Sequence, residues 1–315
     1  MAAGSELIRY SIVIPVFNEE SVLPELFARL EALFGAPCGN DWRAVFVNDG
    51  SRDRSAELVR AQGARDPRFE LVELSRNFGF QSALSAGLAH AAAADAVVTM
   101  DADLQDPPEV IPMLVAAWGS GAEVVRAVRR SRKETGARRL AFDIFHSVFS
   151  RLTDIPIESN TGTFGLLGRP ALEAFSRLPE RNRFFPGLRA WIGFAAADVA
   201  YDRQERAAGK PKQTFRRLFR YAVDGFFSFS YLPLRVLTYS GMAVSALGFA
   251  LGFYFIVKRL LGVETASTGF TTLVSLVTFL GGVQLIGIGV LGEYLGRVYD
   301  EVKQRPIYLI KPPGR

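Results

Sequence analysis

Residues Thr99–Glu109 read TMDADLQDPPE and overlap the end of an apolar run, Ala96–Met100, that is typical of a buried β-strand. This stretch places two carboxylates, Asp101 and Asp103, two positions apart. Because side chains alternate along a strand, we expect both acids to point the same way beyond the sheet, where open α/β sheets bind ligands. Two oxygen ligands there suit a hard divalent cation, and such a cation suits a diphosphate. The alternative is a pair of solvated turn acids.

Short apolar runs alternate with helical patterns on both sides of this stretch. The predicted strands are Ile12–Phe17, Ala44–Val47, Phe69–Leu74, Ala96–Met100 and Val124–Val128. The alternation predicts an α/β fold with a mostly parallel sheet and helices on both faces. The chain lacks the G-x-G-x-x-G fingerprint after its first strand and the G-x-x-x-x-G-K-[ST] loop, which argues against dehydrogenases and P-loop NTPases. Acids at the strand ends suit ribose hydroxyls, a base edge and a metal that carries phosphates.

The composition narrows the class of ligand and of site. The 315 residues carry 37 Lys and Arg against 32 Asp and Glu, and the net charge of +5 fits nucleic acid, anionic lipid or phosphorylated ligands equally well. A single cysteine, Cys38, excludes an intrachain disulfide framework, and only two histidines argue against a His-rich zinc site. No secretory signal peptide is expected at the N-terminus, where Pro15 interrupts the apolar run.

Two uncharged runs, Leu237–Val257 and Phe270–Gly292, are each long enough to cross a hydrocarbon core of ~30 Å as a helix. We therefore expect a two-helix transmembrane hairpin; the alternative is a pair of buried helices in a soluble core. The basic residues outside the hairpin are Arg235, Arg297, Lys303 and Arg305, and those in its loop are Lys258 and Arg259. This distribution favours both termini in the cytoplasm.

Four motifs identify a family resemblance. In chain order they are SIVIPVFNEE, VNDGSRDRS, NFGFQSALSAGL and DADLQDPPE, and they resemble a family 2 glycosyltransferase with a GT-A fold. Later stretches, LPERNRFFPGLRAWIGF, RAAGKPKQ, FSFSYLPLR and GEYLGRVYDEVKQRPIYLI, are similar to the polyprenyl-phosphate glycosyltransferases. That group includes dolichol-phosphate mannose synthase and the GtrB-type undecaprenyl-phosphate glucosyltransferases. The resemblance covers nearly the whole chain, and the tail motif after the hairpin is more diagnostic than D-x-D.

The resemblance implies roles for individual donor-site residues. Asp103 would be the principal metal ligand, and Asp101 would contact the ribose or the metal. The nucleotide-binding residues that it implies are Pro15, Glu19, Asp49, Asp101 and Gln105, with Asp49 the acid that contacts the base. The expected metal is Mg²⁺ or Mn²⁺, which would neutralise charge on the leaving nucleoside diphosphate.

The acceptor side is expected to be basic. Residues Arg126–Arg139 are densely basic, and alone they fit a solvated or nucleic-acid-binding surface as well as a lipid-phosphate site. The resemblance implies a mobile acceptor loop here, followed by an amphipathic helix at the membrane surface, although Leu140–Leu152 also fits a core-facing helix. The acceptor-phosphate residues that it implies are Arg129, Arg203 and Lys212, and Arg129, Arg206 and Lys212 join the two acids as catalytic residues.

The chain departs from its relatives at Thr163 and Gly165, where many of them have the Asp and Arg of G-D-F-R. The acid has been considered a possible base. A phosphate monoester has a second pKa near ~6, so an acceptor phosphate is largely ionised at neutral pH. Such a nucleophile needs positioning more than a base. The departure therefore need not abolish transfer, and an alternative effect is a change in the sugar that is accepted.

We expect a catalytic domain over residues 1–212, with an acceptor loop and amphipathic segment at 129–158. Juxtamembrane amphipathic helices at 213–235, a transmembrane hairpin at 236–295 and a cytoplasmic tail at 296–315 would follow. Within the tail, Ile307–Ile310 is a short run that could pair as an edge strand.

The resemblance implies an inverting enzyme of the bacterial inner membrane that moves one sugar from a nucleotide sugar, with UDP favoured, to undecaprenyl phosphate. It also implies a homotetramer. The alternatives are a GDP-mannose-dependent polyprenyl- or dolichol-phosphate mannosyltransferase and a catalytically altered scaffold on the same fold. A processive synthase fits poorly, because no Q-x-x-R-W motif is present. A nucleic-acid-binding module would explain the basic excess but not the hairpin.

Overall fold

The structure, a computed structural model, describes residues 9–35, 41–130, 161–181, 183–204, 232–261 and 269–312. Contacts divide the chain into two compact units. The first unit comprises Met1–Arg151, Ile155–Leu218 and Arg305–Arg315, and the second comprises Leu152–Asp154 and Phe219–Gln304. The sheet therefore belongs to the first unit, and the two long apolar helices belong to the second.

The first unit is built on a seven-stranded mixed sheet with the order β3-β2-β1-β4-β6-β5-β7. Its strands are β1 (Tyr10–Val16), β2 (Trp42–Asn48), β3 (Phe69–Glu73), β4 (Ala96–Thr99), β5 (Val124–Arg129), β6 (Thr161–Gly168) and β7 (Ala196–Tyr201). The five predicted strands are all present. Strand β6 runs antiparallel to β4 and β5, while the other pairs are parallel. The predicted mostly parallel sheet therefore contains one reversed strand that the alternation did not reveal.

Helices pack against this sheet through small and apolar side chains. They are α1 (Leu23–Phe34), α2 (Ser55–Arg65), α3 (Phe80–His90), α4 (Ile111–Gly119), α5 (Arg169–Ser176) and α6 (Phe185–Trp191). The strand residues Ile12, Ile14 and Phe46 are fully buried in the core. Helix α3 approaches the sheet closely, because a Cβ at Gly87 would lie 2.3 Å from a methyl of Val13. Only glycine allows that approach.

The end of the chain closes the edge of the sheet at β3. The Ser75 N–H donates to the Leu309 carbonyl at 2.8 Å, and the Lys311 N–H donates to the Glu73 carbonyl at 2.7 Å. Between them, Leu74 and Ile310 form an antiparallel bridge. The predicted edge pairing of the tail is confirmed. It satisfies backbone groups that an open edge would leave to solvent or to another chain.

The second unit contains two long helices, α7 (Leu232–Leu260) and α8 (Phe270–Val302). Both uncharged runs therefore fold as helices. Within the described residues, one segment, Phe279–Val302, is long and apolar enough to cross a membrane. The mean hydropathy of its most apolar 18-residue stretch is 1.4, and 6% of that stretch is buried. The apolar segment Val236–Leu251 in α7 is shorter. The second crossing stays a prediction. The two helices touch where a Cβ at Gly287 would lie 3.0 Å from Leu237.

We expect Lys311→Pro to detach the tail from β3, because proline has no N–H to donate to the Glu73 carbonyl. The loss of one backbone hydrogen bond should lower the free energy of unfolding by about 1 kcal/mol. Hydrogen exchange at the Ser75 amide should become faster. Lys311→Ala keeps the amide and is the matched control, so equal exchange in the two variants would contradict the pairing.

Candidate active site

Side-chain to backbone hydrogen bonds interlock the loops after β1 and β2. Ser51 Oγ accepts the Asn18 N–H at 3.0 Å, and Asn18 Oδ1 accepts the Arg52 N–H at 2.8 Å. The Glu19 N–H donates to Ser55 Oγ at 2.9 Å. These bonds fix Glu19 at the carboxyl edge of the sheet, next to the end of β2. Pro15 lies one residue from the end of β1, where it is buried opposite Val47 of β2.

Asp49, which follows β2, holds the loop that leads into α3. One carboxylate oxygen accepts the Phe78 N–H at 2.7 Å, and the other accepts the Gly79 N–H at 2.9 Å. Burial raises the pKa of Asp49, while these two hydrogen bonds oppose the rise. Gly50 has φ 69°, and a Cβ there would lie 2.7 Å from the backbone nitrogen of Asn77. Asp49 therefore organises this loop, and its contact with a base stays a prediction.

The two acids of the D-x-D pair lie on a loop and not on a strand. Strand β4 ends at Thr99, so the strand pleat does not set the directions of Asp101 and Asp103, and the alternation argument was wrong. Hydrogen bonds hold the acids instead. The Thr163 hydroxyl donates to Asp101 Oδ1 at 3.3 Å, and the Gln105 N–H donates to Asp103 Oδ1 at 3.2 Å.

Negative charge is concentrated on this loop. Burial, followed by the charges of Asp106 and Asp103, raises the pKa of Asp101 to about 7. Within the described ranges no group of three His, Cys, Asp or Glu side chains is arranged to hold a metal ion. Mg²⁺ commonly binds through one or two carboxylates together with substrate phosphates. Asp101 and Asp103 fit that kind of donor set, in which substrate phosphates would supply the remaining oxygens.

Asp106 joins the acid loop to the predicted acceptor residues. Its side chain is 1% exposed, and its Oδ1 accepts a short hydrogen bond from the Tyr201 hydroxyl. Arg129 Nη2 lies 4.0 Å and Arg203 Nε 3.8 Å from the same oxygen. The structure thus brings together two predicted acceptor arginines that are distant in sequence. No role was predicted for Asp106 or Tyr201; the only sequence signal was a third acid in DADLQD.

The surroundings of Gly165 are too crowded for a side chain. Gly165 in β6 pairs with Thr99, and a Cβ would lie 2.5 Å from the Val125 carbonyl. It would also lie 3.0 Å from Arg189 Nη1. Arg189, from α6, is buried and donates to the Gly162 carbonyl at 3.2 Å. A guanidinium therefore lies beside this position, but it comes from another element.

Of the remaining predicted site residues, the structure describes Gln105 but not Arg206 or Lys212. The Gln105 carbonyl accepts the Gln204 N–H at 3.1 Å, which ties the acid loop to the chain after β7. Arg206 and Lys212 lie outside the described residues, as do residues 131–160 of the acceptor loop and amphipathic segment. Most of the juxtamembrane segment, up to residue 231, lies outside them as well.

Two family models match the chain. One, described as glycosyl transferase family 2, matches residues 11–175, and the other, the GtrB C-terminal hairpin, matches residues 232–298. The chain belongs to glycosyltransferase family 2. Its first unit is the GT-A-like α/β domain with a mixed sheet, and the reversed strand β6 carries Thr163 to the acid loop.

Individual relatives match over nearly their whole length. An uncharacterized glycosyltransferase of Synechocystis sp. is 46% identical over 305 residues, which are 96% of this chain and 95% of that protein. The SfII prophage-derived bactoprenol glucosyl transferase of Shigella flexneri is 42% identical over 309 residues, 98% of this chain and 99% of that protein. Among solved structures, the mannosyltransferase PcManGT from Pyrobaculum calidifontis, in complex with GDP-Man and Mn²⁺, is 17% identical with a TM-score of 0.48, covering 94% of this chain and 85% of that chain.

We expect Gly50→Ala to disturb the donor edge, because a left-handed φ of 69° costs a non-glycine residue about 1–2 kcal/mol and the new Cβ meets the Asn77 backbone. Gly193→Ala is the matched control, since Gly193 has nearly the same φ, 68°, and a Cβ there would meet only the Trp191 carbonyl at 3.9 Å. Gly50→Ala should lose more stability in denaturant and weaken UDP binding more than the control. Equal losses in both variants would show that the contact with Asn77 is unimportant.

The raised pKa of Asp101 predicts a pH-dependent stability in the presence of a chelator. The folded carboxyl keeps its proton up to about pH 7, whereas the unfolded carboxyl releases it near its ordinary pKa of ~3.9. Stability should therefore fall as the pH rises between these values. Asp101→Asn should flatten the dependence of the melting temperature between about pH 4 and pH 7, and the exposed Asp202→Asn should leave it as in the unmodified protein.

Proposed function

We propose that this family 2 glycosyltransferase moves one sugar from a nucleotide sugar, with UDP favoured, to the phosphate of a polyprenyl lipid. The observation that carries the proposal is the convergence of Arg129 and Arg203 on Asp106, beside the acid loop. A site of this kind has cations for a phosphate next to acids for a metal–diphosphate group. The full-length similarity to the Shigella bactoprenol glucosyl transferase supports the lipid acceptor.

Asp101 and Asp103 would hold Mg²⁺ or Mn²⁺, which when bound neutralises the negative charge that develops on the leaving nucleoside diphosphate. The Thr163 hydroxyl holds one of these acids from β6. The interlocked loops after β1 and β2, with Glu19 and Asp49, would receive the nucleoside.

The acceptor phosphate is anionic at neutral pH and needs no base at position 163. Arg129 and Arg203 would orient its oxygen for in-line attack on the anomeric carbon, so we propose inversion. Arg206 and Lys212 are proposed to join them on the acceptor side. The main contribution of these residues is positioning and charge compensation.

The hairpin of α7 and α8 would hold the enzyme in the bacterial inner membrane, with both helices crossing and both termini in the cytoplasm. The exposed apolar side chains on both helices support this placement; Phe249 in α7 is 82% exposed and Leu285 in α8 is 71% exposed. We propose the domain limits 1–212, 213–235, 236–295 and 296–315, as expected from the sequence. A homotetramer is part of the same proposal.

The test is transfer by the detergent-purified full chain to undecaprenyl phosphate with Mn²⁺. Radiolabelled donors should include UDP-glucose, other UDP-sugars and GDP-mannose, so that the assay also separates UDP- from GDP-dependent enzymes. We expect label in the lipid fraction from one donor, and a loss of at least about 100-fold in Asp103→Asn. No transfer from any donor, despite metal-dependent nucleotide binding, would favour another acceptor or the scaffold alternative.

A further inference from the structure

Asp106 is a buried carboxylate whose polar neighbours come from distant parts of the chain. One oxygen, Oδ1, has the Tyr201 hydroxyl as hydrogen-bond donor and the two guanidinium groups of Arg129 and Arg203 within 4.0 Å. The other oxygen, Oδ2, is buried without a hydrogen-bond partner in the described part of the chain. Burying a carboxylate is costly, and burial raises the pKa of Asp106. The Tyr201 hydrogen bond, followed by the charges of Arg129 and Arg203, opposes that rise.

Tyr201 links Arg129 to the carboxylate through a second route. Arg129 Nε donates to the Tyr201 hydroxyl oxygen at 3.3 Å, and that hydroxyl in turn donates to Asp106. The two residues are register partners on β5 and β7, so the sheet itself sets their spacing. The Tyr201 ring packs edge-on against Phe164 of β6, with 5.4 Å between the ring centroids. One side of the Arg129 guanidinium is therefore fixed before any ligand arrives.

We infer that Asp106 is a positioning residue that presets Arg129 and Arg203 for the phosphate of the acceptor lipid, and that it is not a metal ligand. This inference rests on the proposed function. Two guanidinium groups alone would repel each other, and each would lose side-chain freedom on binding phosphate. One carboxylate between them removes the repulsion, orders both side chains, and leaves a net positive charge for the incoming anion.

If the inference holds, a change at Asp106 should weaken binding of the acceptor lipid and leave binding of the nucleotide sugar and of the metal nearly unchanged. In the transfer assay, we expect Asp106→Asn to raise KM for undecaprenyl phosphate by about 10- to 100-fold, the effect of losing one or two charged contacts. KM for the nucleotide sugar and the Mn²⁺ concentration for half-maximal rate should change less than about 2-fold. Tyr201→Phe, which removes only the hydroxyl link, should raise the acceptor KM by a smaller factor.

Asp198→Asn is the matched control. Asp198 pairs in register with Arg126 at 2.6 Å across the same two strands, and Arg126 is not one of the two arginines beside Asp106. This variant should keep the acceptor KM of the unmodified enzyme. Thermal unfolding of each variant in detergent shows whether it is folded. If Asp106→Asn does not fold, the acceptor KM of Tyr201→Phe tests the inference in its place.

Three outcomes distinguish the possibilities. The inference is supported if the KM for undecaprenyl phosphate rises in Asp106→Asn and in Tyr201→Phe while the Mn²⁺ dependence of the rate is unchanged. If instead Mn²⁺ activation weakens in Asp106→Asn with the acceptor KM unchanged, Asp106 acts as a metal ligand and the inference is wrong. If the unmodified enzyme transfers no sugar to undecaprenyl phosphate, the proposed function itself fails, and the inference fails with it.

Discussion

The placement of three carboxylates on one largely buried loop is the constraint on which the active-site edge depends. Asp101, Asp103 and Asp106 follow one another on this loop, and burial, followed by the charges of Asp106 and Asp103, raises the pKa of Asp101 to about 7. Low-dielectric surroundings make the repulsion between these charges expensive, so nearby cations stabilise the loop. The first two acids suit a divalent metal, whereas the third already has arginines beside it. Under the proposed function, this charge pattern would divide one loop into a donor side and an acceptor side.

The mixed sheet makes this division possible. Strand β6, reversed between β4 and β5, brings the Thr163 hydroxyl to Asp101, and the parallel pair β5–β7 brings Arg129 beside Tyr201. At Gly165 of β6 a side chain has no room, because the Val125 carbonyl lies 2.5 Å from the Cβ position. The glycine at position 165 is therefore part of a packed arrangement with Arg189.

Local pattern was sufficient for much of the fold. The strands through Phe46, Val98 and Val125 were found because short, continuous apolar runs bounded by turn residues are typical of buried strands. Strands β6 and β7 were missed because their own sequences are weak strand signals: β6 contains three glycines, and β7 is short, alanine-rich and largely exposed. The pleat argument for Asp101 and Asp103 failed for a different reason: the strand ended before the acids, at Thr99.

The sequence by itself determined the α/β class, the two apolar helices and the family, and it singled out Asp101, Asp103, Arg129 and Arg203 as candidate site residues, because periodicity, charge and motif spacing are local properties of the chain. Only the tertiary structure decided which of these side chains meet. Asp106 and Tyr201 are 95 positions apart, and Arg129 and Tyr201 are 72 positions apart. Their contacts depend on strand order and register, which follow from the packing of the whole sheet.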